Sequence, residues 1–155
     1  MKKLFFAGFV LLAFISNLYG QTQKELKTQF VSMIVGEWIN IDTNKGDVTR
    51  IIITYDRNEL SIEAFGRCHP TDCEWGKVKL HCIAASAFGD DNLIPFDYLI
   101  AIWEIEGEKP NAITEIMKIT IKKSHNPKLY IENISLFNDN SGRSDCYSNE
   151  IMTKK

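Results

Sequence analysis

The residues richest in chemistry lie in "GRCHPTDCEWG", Gly66 to Gly76, where two cysteines bracket a His, a Pro and an Asp, and a Trp and a Gly follow. Such a set supports three kinds of chemistry. Cys68, His69, Asp72 and Cys73 could ligate zinc, a thiol beside His69 could act as a nucleophile, or Cys68 and Cys73 could close a disulfide across a turn. The redox compartment discriminates among them, because an exported chain tends to oxidise paired thiols before they meet a metal.

The first twenty residues indicate that compartment. Lys2 and Lys3 precede the apolar run "LFFAGFVLLAFI" (4–15), which is shorter than the roughly 20 apolar residues a stable membrane span needs. Small Gly20 then meets polar "QTQKELK". This is the pattern of a signal peptide over 1–20, with cleavage after Gly20 and a secreted or periplasmic destination. No Cys lies near the junction, so a lipid anchor is not expected, and no stable membrane insertion is either. The rest, 21–155, suits one domain with a real core. The formal charge of −2 becomes more acidic once both lysines leave, and no basic cluster remains. That argues against nucleic acid or an anionic membrane as partner.

In an oxidising compartment the four cysteines read as two disulfides, with three pairings possible. The nearest-neighbour arrangement, Cys68 with Cys73 and Cys82 with Cys146, is preferred here. Pro70 stiffens the first loop and Asp72 can accept hydrogen bonds from backbone amides, as in a turn between two strands. The second bridge would close a much longer loop and contribute more stability. No metal and no cofactor are expected.

Hydrophobic periodicity places that loop between strands. "ELSIEAFGR" sets Leu60, Ile62 and Ala64 on one face, and "EWGKVKLHC" sets Val78, Leu80 and Cys82 on one face against Lys77, Lys79 and His81. The same alternation marks "EWINI" (37–41), "DVTRIIITYD" (47–56), "FDYLIAIWEIE" (96–106), "AITEIMKITIKK" (112–123), "LYIENISLF" (129–137) and "CYSNEIMTK" (146–154). Turn residues separate them, as in "DRN", "TNKGD", "GEKPN", "SHNPK" and "NDNSGRSD". One helical pattern, 22–35, carries Leu26, Phe30, Met33 and Ile34 on one face. The expected fold is all-β, an eight-stranded antiparallel up-and-down barrel with a short N-terminal helix capping one end; a two-sheet sandwich is the alternative.

A short helix, then Gly36-Glu37-Trp38 on the first strand, then eight meandering strands: this combination resembles the lipocalin-like, or calycin, barrels. The resemblance implies that Trp38 closes the barrel floor and that a basic residue near the end of the last strand, Lys154 or Arg143, stacks over it. The segment "CHPTDCEWG" is also similar to one in uncharacterised secreted bacterial proteins with such a barrel, which adds no activity.

A barrel of this size either fills with side chains or encloses one small ligand. The candidate lining is Leu60, Ile62, Phe96, Tyr98, Ile100 and Met117, and the alternative is a dry core of the same residues. In the 96–106 strand the set Phe96, Tyr98, Ile100, Ile102 competes with Leu99, Ala101, Trp103, Ile105, since both are apolar. Arg50 and Glu115 share faces with apolar residues, so an inward ion pair is possible unless a bulge turns either outward.

Catalytic signatures are absent: no G-x-S-x-G, H-E-x-x-H, phosphate loop or dinucleotide fingerprint occurs. The expectation is a non-enzymatic secreted protein that binds a small apolar or amphipathic molecule in the barrel. The alternative is a protein-interaction module, an inhibitor or envelope-associated factor, that presents Phe65, His69 and Trp75 around the stapled hairpin to an unknown protein.

Overall fold

The computed structural model describes residues 28–42, 47–68, 70–83, 98–105, 112–122, 126–138, 140 and 142–155. The segment 1–20 that carries the signal-peptide pattern, His69 and Phe96 lie outside them. A helix, α1, covers 28–34, with Phe30 and Ile34 buried. A second compact unit, Val35–Lys155, contains nine strands. They are β1 (Gly36–Asn40), β2 (Val48–Asp56), β3 (Glu59–Gly66), β4 (Cys73–Lys79), β5 (His81–Ile83), β6 (Tyr98–Ile105), β7 (Ile113–Lys122), β8 (Lys128–Phe137) and β9 (Cys146–Lys154). Among the described residues no helix is long and apolar enough to cross a membrane.

All pairings are antiparallel, in the order β4-β3-β2-β1-β9-β8-β7-β6-β5. The first and last strands are neighbours. The two strands at the ends of that order, β4 and β5, are consecutive in the chain, with Leu80 between them. One run of backbone therefore pairs with β3 through its first part and with β6 through its last, giving a nearly closed barrel. This explains why nine strands appear where alternation indicates eight: the single expected strand 74–82 divides at Leu80, whose amide donates to the Leu60 carbonyl at 2.9 Å.

Local chemistry fixes the hairpins. Arg57 and Asn58 have φ of 47° and 67° and join β2 to β3, with Asp56 opposite Glu59. Two central residues at positive φ match the twist of a two-residue hairpin. Two bulges interrupt the register. Between Val48 and Arg50 the extra residue is Thr49, and between Gly76 and Glu74, opposite Ala64 and Phe65, it is Trp75. Gly76, at φ +86°, supplies the conformation that the second bulge needs.

The inner face is mostly apolar: Trp38, Ile51, Ile53, Ile62, Met117 and Leu129 are fully buried, among others. Exceptions to that rule define the candidate site.

Candidate functional site

Trp38 is fully buried on β1, and its cross-strand partner on β9 is Lys154. The Lys154 ammonium lies 5.6 Å from the ring centroid. Arg143, the other basic candidate, covers Phe137 at 4.1 Å instead. Of the two basic candidates it is thus Lys154 that lies over Trp38.

The bridge between Cys68 and Cys73 is formed, so both sulfurs are consumed by the turn. Asp72 ties that turn to the barrel, its Oδ2 lying 2.7 Å from the Thr49 hydroxyl. The second expected bridge is corrected: Cys82 and Cys146 are not joined. They lie on β5 and β9 with β6, β7 and β8 between them, a separation no disulfide can span.

Of the proposed lining, Leu60, Ile62 and Met117 face inward. Tyr98 and Ile100 do not. On β6 the buried residues are Leu99, Ala101 and Trp103, while Ile102, in phase with Tyr98 and Ile100, is 49% exposed. With two apolar faces, alternation alone gives no preference, and pairing with β7 puts Ala101 beside inward Met117 and Ile100 beside Lys118.

The interaction surface changes as well. Trp75 turns inward because it is the extra residue of its bulge. Its ring packs on Gly66, where a Cβ would approach Nε1 to 2.5 Å, and it meets Trp103 edge-on at 5.7 Å. Trp103 Nε1 donates to the Gly76 carbonyl at 2.9 Å. The two tryptophans therefore link β4 to β6, where the barrel closes. Phe65 stays on the outer face but lies under the Arg50 guanidinium at 3.7 Å. Arg50 also reaches Glu37 at 3.4 Å on the outside, so it forms no ion pair with Glu115. Beside the hairpin is a cleft of about 330 Å³, with Thr49, Arg50, Arg67, Asp42 and Asp72 in its wall.

The inner face carries a polar cluster on β7, β8 and β9. Glu115, 7% exposed, accepts hydrogen bonds at Oε2 from Asn133 Nδ2 and Ser135 Oγ, both at 2.7 Å. Burial raises its carboxyl above the usual range, and the Asp47 charge acts in the same direction; the two hydrogen bonds offset part of this. Glu150, 4% exposed, accepts the Asp47 amide at 3.0 Å through Oε1. Among the described residues, three buried atoms here have no hydrogen-bond partner: Asn133 Oδ1, Ser148 Oγ and Glu150 Oε2. Such atoms each cost about 1–3 kcal/mol when left unsatisfied, so their grouping needs a reason.

They are neighbours by register. Asn133 faces Ser148 directly across β8 and β9, and Glu150 lies two residues further along the same face. Asn133 also pairs with Met117, one of the expected lining residues. The cluster was legible in part. In "LYIENISLF", Asn133 and Ser135 fall in phase with Leu129 and Ile131, and in "CYSNEIMTK" Glu150 falls in phase with Met152. A polar residue in the apolar phase is the signal, the same one that marks Arg50 and Glu115.

In comparison with known proteins, no family model matches the chain and no curated protein is similar to it. The nearly closed antiparallel barrel, consistent with a calycin-like fold, therefore stands on its geometry. Among the described residues no group of three or more His, Cys, Asp or Glu is placed to hold a metal ion.

Proposed function

We propose that this protein is an exported, non-enzymatic, lipocalin-like carrier that takes a small amphipathic molecule in its barrel. One observation supports the reading most directly: the inner face divides into an apolar part and a polar cluster with three unpartnered buried atoms. A packed core has no use for unsatisfied polar atoms, whereas a binding site keeps a few placed polar groups in an apolar lining to orient its ligand. The apolar part of the molecule lies against Ile62, Met117 and Ile131, and its polar end meets Asn133, Ser148 and Glu150. The signal-peptide pattern and the Trp38–Lys154 floor support the same reading.

Native mass spectrometry of the protein purified from its own host, followed by denaturing extraction, tests it. A co-purifying small molecule at a fixed ratio is the expected result. Protein that leaves its host empty and also binds no amphipathic probe overturns it.

The protein-interaction reading loses Trp75, but a different surface favours it. Ile102, Ile116, Ile134 and Tyr147 are consecutive cross-strand partners on the outer face of β6 to β9, and Ile102, Ile134 and Tyr147 are 40–57% exposed. An unbroken apolar row of this kind is a feature of contact surfaces. Ile134→Asp should then abolish capture of a partner while leaving ligand binding intact.

A further inference from the structure

The interior is one-sided in its chemistry. Buried polar and charged residues are Asn40, Glu115, Asn133, Ser135 and Glu150; two are carboxylic acids and, among the described residues, no Lys, Arg or His is buried with them. The basic residues that could balance them are occupied elsewhere: Arg50 lies against Glu37 and Phe65, Lys118 pairs with Glu132 at 2.6 Å, and Lys154 lies over Trp38. Buried acids without a cationic partner are costly, and a charged donor relieves that cost most effectively.

The unpartnered atoms specify the donor further. Asn133 Oδ1 is an acceptor only, and Glu150 Oε2 and Ser148 Oγ can accept as well. Directly opposed side chains on antiparallel strands stand about 4.5–5.5 Å apart at Cβ, so one small group can reach across Asn133 and Ser148 and along to Glu150. A primary ammonium carries three N–H donors in a compact head, one for each acceptor. A quaternary ammonium has the charge without the donors, an alcohol has a single donor without the charge, and a carboxylate would face Glu115 and Glu150 with like charge.

Building on the carrier reading, we infer that the ligand is a primary amine, bound as its ammonium by Asn133 Oδ1, Ser148 Oγ and Glu150 Oε2. Its alkyl or aryl part extends along the Met117 side of the barrel.

Calorimetric titration of the purified protein with octylammonium, octyltrimethylammonium, octanol and octanoate, each below its micellar concentration, tests the inference. Octylammonium should bind at least about tenfold more tightly than the other three, the margin one charge-assisted hydrogen bond supplies. Glu150→Gln keeps the side-chain shape and an acceptor for the Asp47 amide, and should reduce that preference to within about threefold. Ser148→Ala, which deletes a hydroxyl without a partner, should weaken octylammonium and leave octanol unchanged. Equal binding of all four probes would overturn the ammonium assignment while leaving the carrier reading standing. Binding of none would overturn the ammonium assignment, and together with protein that leaves its host empty would remove the carrier reading as well. An ammonium preference that survives Glu150→Gln and Ser148→Ala would place the recognition elsewhere and overturn the site.

Discussion

Lys154 on the last strand holds its ammonium 5.6 Å from the ring of Trp38 on the first, and the two are direct cross-strand partners. Gly36 makes room for the lysine stem: at φ +136° a Cβ there would come within 2.8 Å of Lys154 Cε. Trp38→Ala should cost about 3–5 kcal/mol, as deletions of large buried aromatics do. Lys154→Ala should cost only about 0.5–1 kcal/mol, the value of a cation–π contact whose cation is exposed to solvent. Gly36→Ala, strained by its positive φ, should cost more than Lys154→Ala. Urea unfolding of the three variants orders them, and a neutral Gly36→Ala would remove the strain argument.

The Cys68–Cys73 bridge closes a short loop, with a sequence separation of 5. Chain entropy assigns such a loop about 2 kcal/mol, less than a long one. Reducing agent or the Cys68→Ser, Cys73→Ser double variant should lower stability by about that amount. Peptide mapping without reduction should show this one bridge and alkylated Cys82 and Cys146. A Cys82–Cys146 peptide would contradict the strand order.

Stability should depend on pH through Glu115. Burial raises its folded-state carboxyl above the ordinary value, so the folded protein holds this proton more tightly than the unfolded chain. Its contribution is therefore fully present below the unfolded-state value and is lost as pH rises through the raised one. Glu132 acts in the opposite sense: the Lys118 contact lowers its carboxyl, and that contribution is lost as pH falls. The stability difference between Glu115→Gln and the parent isolates the first effect. It should grow in favour of the variant from acid to neutral pH, and a difference independent of pH would show that burial does not perturb this group.

The tryptophan link between β4 and β6 predicts a fluorescence change. Gly66→Ala places a methyl within 2.5–2.9 Å of three Trp75 ring atoms, so the ring must leave its seat. Emission should shift to the red and stability should fall. Trp103→Phe strands the Gly76 carbonyl that Nε1 now satisfies, at a cost of about 1–3 kcal/mol. Unchanged emission in Gly66→Ala would mean that Trp75 does not depend on that contact.

Much of this molecule was legible in its sequence because the relevant physics is local. Period-two alternation located the strands described, with β4 and β5 read as one, turn residues separated the rest, and the close spacing of Cys68 and Cys73 with Pro70 and Asp72 marked a stapled turn. The tertiary structure decided what alternation cannot. Alternation says which residues share a face, whereas closure of the sheet decides which face is inside: on β6 it buried Leu99, Ala101 and Trp103 and left Tyr98 and Ile100 outward. A single inserted residue inverts the phase beyond it, which turned Trp75 in and Arg50 out. Strand order, set by pairings far apart in sequence, separated Cys82 from Cys146. The same order gathered Glu115, Asn133, Ser135, Ser148 and Glu150 from three strands into one cluster, because only folding makes neighbours of residues that the chain keeps apart.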